Sequence, residues 1–232
     1  MALHHDPRAE LKKHALVRFV RAWNVKNPGH QIATPPGFNP DTGVIGLPAR
    51  EFLKAMQRAV HLPVSGRFDL ITMLKLLPPG IRGQTMARAH AEVGEHEWPP
   101  GSNMGPIVEY LHAVGLSGGY PWCAAFVTWC LRHEGFTHFP PNPAYVPSWG
   151  EWATQHKLTK PHAQSLMGDL WCWNWDGGPL DHIGFCDEGI KGNMAWYVDG
   201  NVGAYGGTVT DSERPESGIA LVIDLVKLKA LR

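Results

Sequence analysis

Cys123 stands two residues after Pro121 in the run GGYPWCAAFVTWCLRHEG, residues 118–135, where a turn rich in glycine and proline leads into an apolar helix. A buried structural cysteine could sit anywhere on the inner face of such a helix. A reactive one benefits from this end, where free backbone N–H groups and the positive end of the helix dipole favour a thiolate. Thiolate catalysis needs two more parts: an imidazole that exchanges the proton, and a third group that fixes the tautomer and orientation of that imidazole. The segment LDHIGF offers His182 on or beside a short strand, and WYVDGN offers Asp199 and Asn201. The latter two share one strand face because side chains alternate. Their spacing leaves open which of them meets the ring.

Further residues stand near these three. Trp122, beside the candidate nucleophile, fits either the core or a groove wall, and Tyr120, Glu97 and Asn103 are candidate substrate contacts. Trp171, Trp173 and Trp175 line one face of a strand at every second position. Two of them are expected to pack that face onto a helix, and Trp175, nearest the DGG turn, to reach a groove. The backbone N–H of Cys123 would serve as one oxyanion donor, with Tyr120 a candidate for the second. Cys130, Cys172 and Cys186 read as packing residues. Cys130, His133 and His138 lack a fourth ligand and leave their helix in different directions, so neither a metal nor any other cofactor is expected.

The elements that must position these groups fall into two sets. From RGQTMARAHAEVGEHE through GPIVEYLHAVG and WCAAFVTWCLRHEG to SWGEWATQHK the patterns are helical, with Gly135 placed to end the third helix. After them, DLWCWNW, HIGFCDE, AWYVDGN and IALVIDLVKL are short apolar or alternating runs parted by Asp/Gly turns, and read as strands. Helices first and antiparallel strands afterwards indicate an α+β domain. Upstream, apolar stripes over residues 8–24, 49–60 and 70–77 indicate a small all-helical unit, with Phe52, Leu53, Met56 and Val60 on one side of its second helix. Pro78–Gly80 makes the best boundary, giving modules over 1–80 and 83–232.

Composition narrows the classes. With 232 residues, 44% hydrophobic and 18% charged, the chain can bury a substantial core. No apolar run approaches the ~20 residues of a membrane-spanning helix. The start, MALHHDPRAELKKHALV, lacks a compact apolar core followed by a small-residue cleavage site, so synthesis in a cytoplasm without a secretory signal is expected. Four cysteines without a CxxC pattern are expected as free thiols. The net charge is zero, but residues 1–80 hold 11 Lys+Arg against 5 Asp+Glu, and the remainder 10 against 16. A basic first module suits an anionic surface. Nucleic acid is not expected, because the basic part lacks interleaved aromatics and the acidic part would repel phosphate.

Together, YPWCAAFVTWCLRHEG, GDLWCWNWDG, DHIGF and DGN resemble the CHAP domain, the amidohydrolase/peptidase domain named for its cysteine and histidine. EVGEHEWPPGSNMGPIVEYL resembles the entry segment of versions found in bacteriophage lysis enzymes. The resemblance covers residues 83–232 and implies a papain-like (CHAP/NlpC-type) α+β catalytic domain with an antiparallel sheet. Cys123 then matches the nucleophile and His182 the base. Many members place an acidic residue and, two positions on, an asparagine, so Asp199 is favoured as the orienter and Asn201 as its support or a substrate contact. The implied substrate is an amide bond of peptidoglycan, cut by a monomer acting on the wall of a host whose membrane has been opened by other means. The alternatives are a non-catalytic wall-binding or virion structural protein that keeps the domain as scaffold, and a cytoplasmic amidase acting on small γ-glutamyl substrates. Finally, REFLKAMQRAVHLPVSGRFDLITMLKLLP resembles a peptidoglycan-binding helical module through Gln57, Gly66, Asp69 and Thr72, with residues 8–24 as a degraded first repeat.

Overall fold

The computed structural model describes residues 54, 56–58, 60–66, 70–203 and 207–231. The helix expected over residues 8–24 lies outside them, as do Phe52, Leu53 and Asp69. The helices are α1 (Leu70–Leu76), α2 (Ile81–Ala91), α3 (Val108–His112), α4 (Cys123–His133), α5 (Val146–Gln155) and α6 (Leu225–Lys229). The strands are β1 (Thr159–Lys160), β2 (Leu170–Trp173), β3 (His182–Lys191), β4 (Met194–Val202), β5 (Thr208–Pro215) and β6 (Ile219–Ile223). They form one antiparallel sheet in the order β1-β6-β2-β3-β4-β5. The α+β class and its helices-then-strands order are those the sequence indicates.

Two strands were not legible beforehand, and one apolar run divides. β1 has only two residues, and β5 reads TVTDSERP, with one apolar position facing the core, Val209. The run IALVIDLVKL, expected as a strand, ends as one at Ile223. There the Asp224 carboxylate accepts from the N–H groups of Val226 and Lys227 and starts α6, because a capping side chain in an apolar run favours a helix over strand continuation.

Helix α4 is the central element. Cys123 through Leu131 are all buried. Phe126 meets Phe185 of β3 edge-on at 6.2 Å, and the Tyr110 ring packs on Trp122, Phe126 and Trp129. The sheet face toward α4 carries Leu170, Cys172, Ile183, Phe185, Val198 and Val209, all in the main core. The opposite face carries a second cluster built on Trp171, Trp173, Cys186, Ala195, Tyr197 and Val222. Trp171 and Trp173 are therefore buried, as expected, but on the face away from α4. α4 ends as the sequence suggested: Gly135 has φ 73°, and the N–H groups of Gly135 and Phe136 close back onto Arg132 and Leu131.

Two polar arrangements fix the frame. Asp169, fully buried at the start of β2, accepts from Arg82 (2.8 Å), Lys160 (2.5 Å) and the N–H groups of Leu166 and Leu225, tying α2, β1, β2 and α6 together. Upstream, buried Gln57 donates to Ser65 and Thr72 and accepts from the Gly66 N–H, so three of the four residues singled out there hold one turn. Met56, Val60, Met73 and Leu77 join the main core. Among the described residues no helix is long and apolar enough to cross a membrane.

Candidate active site

Cys123 is the first residue of α4, and no side chain caps that helix start. Its position is set by the residue before it. Trp122 is fully buried and donates its indole N–H to Glu97 (2.9 Å), whose other carboxylate oxygen accepts from the Asn103 N–H (3.0 Å). The ring also packs against β4 at Gly200, where an added Cβ would meet it at 2.4 Å. The glycine of DGN thus lets the start of α4 approach the strand that carries Asp199.

His182 is the first residue of β3 and pairs with Trp173 of β2. Its Nε2 donates to Asp199 Oδ2 at 2.5 Å. The charge of Cys123 also acts on the ring. Nε2 being engaged by the carboxylate, Nδ1 is the nitrogen left for the sulfur. Burial of the ring opposes its protonation. The charges of Asp199 and Cys123 and the hydrogen bond to Asp199 outweigh that cost, and the imidazolium pKa is raised to about 9. Two aromatic rings hold the imidazole in place: Trp175 stacks on it at 5.6 Å and 27°, and Trp173 lies tilted at 5.7 Å. Gly184, two residues on, is required by the close approach of Asp199, whose Cβ would lie 2.6 Å from an added Cβ.

Asp199 is fully buried and accepts a second hydrogen bond, from Thr210 Oγ1 to Oδ1 at 3.0 Å. Arg214 Nη2 lies 3.4 Å from Oδ2. Thr210 and Arg214 belong to β5, which sequence reasoning missed. Its polar run gave little hydrophobic signal, and the period-2 placement of Thr210, Ser212 and Arg214 was the one available clue.

The structure thus brings Cys123, His182 and Asp199 together, and of the two residues the spacing left open, Asp199 meets the ring. Asn201 turns away with φ 64°, and its Oδ1 lies beside Gly207, where an added Cβ would meet it at 2.5 Å. Of the two places open to Trp122, the core is the one it takes, and Glu97, expected as a substrate contact, is an interior residue whose carboxylate is taken up by the Trp122 indole and the Asn103 N–H. Tyr120 and Trp175 are 50% and 57% exposed, Trp175 against the His182 ring, and Asn103 is half-buried. Cys130 and Cys172 are fully buried, and desolvation pushes both thiols well above the usual range.

Comparison with curated protein sequences and with solved structures finds no match. Residues 115–201 match the family model described as CHAP domain, a span that runs from the turn before Cys123 through His182 and Asp199 to Asn201. With an apolar helix that starts at a cysteine and packs on an antiparallel sheet carrying the histidine and the carboxylate, the chain contains a papain-like CHAP domain.

Proposed function

We propose that this chain is a cysteine-dependent amidohydrolase/peptidase acting on peptidoglycan, with Cys123, His182 and Asp199 as its catalytic residues. The observation that carries the reading is the shared imidazole: His182 bonds Asp199 and feels the charge of Cys123, beside an uncapped helix start, inside a CHAP domain. The reaction begins with the Cys123 thiolate attacking the carbonyl carbon of a wall amide while the C=O electron pair moves onto oxygen. The oxyanion is met by N–H groups at the start of α4, the Cys123 N–H among them. As the tetrahedral centre collapses, the C–N bond breaks and His182 gives its Nδ1 proton to the departing nitrogen. A thioester remains. Water then attacks it, His182 takes the water proton, and the carboxylate product leaves as the thiolate is restored. Asp199 keeps the ring aligned and its Nε2 proton held throughout. Trp175, Tyr120 and Asn201 supply the contacts to the wall peptide.

The residues before Pro78–Gly80 act as a wall-binding module, the resemblance around Gln57, Gly66 and Thr72 being the support for it. The lytic role is that of a bacteriophage endolysin, which rests on the resemblance of residues 92–111 to such enzymes. The cleaved bond is a peptide bond of the stem or cross-bridge rather than the muramoyl–L-alanine amide. Zymography on several wall types, comparing wild type with Cys123→Ala, tests the activity. Mass spectrometry of the released fragments identifies the bond by its new amino terminus. The rival reading, a scaffold without chemistry, is favoured by the burial of Cys123, which is 6% exposed. Iodoacetamide separates the two. Labelling of Cys123 near neutral pH that outpaces Cys130 supports the enzyme, and labelling no faster than Cys130 supports the scaffold.

A further inference from the structure

We propose that Arg214 is a positioning residue for this reaction, a fourth member of the catalytic constellation that holds the Asp199 carboxylate and limits how tightly His182 keeps its proton. The inference rests on the Cys123–His182–Asp199 reading above. Arg214 pairs with Ala195 across β4 and β5, and Asp199 pairs with Thr210, so all four side chains lie on the sheet face away from α4. From there the guanidinium reaches Asp199 Oδ2, the oxygen that also accepts from His182. The Asp199 carboxylate is thus gripped three ways: by His182, by Thr210 and by Arg214.

The guanidinium is itself held in an aromatic cage. Its carbon lies 4.7 Å from the Tyr197 ring centre, 5.2 Å from that of Trp175 and 5.5 Å from that of Trp173. Nη1 is buried without a hydrogen-bond partner. Leaving a charged donor unpaired in this way costs stability, so the placement is not the one that would best satisfy an arginine serving only to cover aromatic surface. Trp175 and Trp173 touch both the guanidinium and the His182 ring, so the cage links Arg214 to the imidazole as well as to its orienter.

The sign of the electrostatic effect follows. The groups facing His182 are Asp199 of β4, Cys123 of α4, its own neighbour Asp181, which accepts from the Trp175 N–H, and Arg214 with Tyr197 behind Asp199. Arg214 is the cation among them. It opposes protonation of the ring and shares the oxygen that attracts the ring proton. Removing it frees Oδ2 for His182 alone, and the imidazolium becomes a poorer acid toward the leaving nitrogen.

Arg214→Met keeps most of the volume and removes the charge, and Arg214→Lys keeps the charge without the planar fork. Two readouts apply to the full chain: an ¹⁵N-imidazole titration of His182, assigned by difference with His182→Gln, and steady-state kinetics on a soluble muropeptide digest. In Arg214→Met the ring is expected to hold its proton about three- to tenfold more tightly, the scale of one unit charge at short range in a partly screened site. The alkaline limb of kcat moves up with it, and kcat falls about 10- to 100-fold with KM nearly unchanged, the scale of a misaligned catalytic group. Arg214→Lys restores the titration and recovers part of kcat. A Met variant whose His182 titrates as in wild type, with an unshifted pH limb, overturns the proposal whatever rate is lost, because the residue then only packs. Should wild type cleave no wall fragment, the hydrolase reading fails, and the His182 titration still decides the role of Arg214.

Discussion

Replacing Asp199 by asparagine keeps the shape of the side chain and removes the charge on which His182 depends. In the folded protein the imidazolium pKa is about 9, against 6.5 for an unperturbed ring, although the ring is buried. That difference corresponds to about 3 kcal/mol in favour of the charged ring, at 1.36 kcal/mol per pKa unit, and it is net of the opposing desolvation. Asp199 is the first of the charges that overcome the burial, so its removal takes away the largest of the opposing contributions. The geometry changes too. An asparagine amide presented to Nε2 selects the tautomer with the proton on Nδ1, the nitrogen that must receive the proton of the sulfur. Loss of the charge and of the tautomer together is expected to lower kcat/KM by about 10³-fold, or about 4 kcal/mol of transition-state stabilisation. The assay is single-turnover release of muropeptide, with iodoacetamide inactivation at pH 7 as a substrate-free check that falls in parallel. Stability gives an independent reading. A folded-state pKa raised above the unfolded one contributes stability that is fully present below pH 6.5 and disappears as pH rises through about 9. Wild type should therefore lose thermal stability across that window, and Asp199→Asn should show a flatter Tm profile there. An Asp199→Asn enzyme within threefold of wild type in both assays would refute the assignment of Asp199 as orienter.

Three further outcomes follow from the same geometry. The kcat/KM profile of wild type should hold from neutrality and fall above about pH 9 as the imidazolium held by Asp199 and Cys123 loses its proton, and a fall centred near pH 6.5 would show that the ring is not so held. Gly184→Ala places a Cβ 2.6 Å from that of Asp199 and 3.0 Å from the Val198 carbonyl. It should cost about 1–3 kcal/mol in denaturant unfolding and about 10²-fold in rate, since the carboxylate must shift away from the ring. Asp169→Ala strips a fully buried anion from Arg82 and Lys160, which keep the more exposed Asp224 as partner. A loss of about 3–5 kcal/mol is expected, lowering Tm by roughly 6–20 °C, with cleavage at low temperature retained because the network lies apart from the catalytic residues.

The sequence by itself determined the class of the fold and offered Cys123, His182 and the Asp199/Asn201 pair as the candidate site. Periodicity separates the helices from the strands, the Pro/Gly turn before Cys123 marks a helix start, and DHIGF and DGN put the histidine and the carboxylate on short strands. These are local signals, carried by residues close together in the chain. Tertiary structure decided the rest, because it depends on which strand lies beside which and on what fills the space between helix and sheet. Trp122 and Tyr120 are both aromatic and two positions apart, yet Trp122 is sealed against Glu97 and Gly200 while Tyr120 faces solvent. Asp199 rather than Asn201 meets the ring because backbone geometry at β4 turns Asn201 toward Gly207. Arg214 lies in a polar strand with no hydrophobic pattern to announce it, and it reaches Asp199 through the β4–β5 register alone. A charged residue makes its partner by distance in space, and distance between segments far apart in the chain is not written in the order of either.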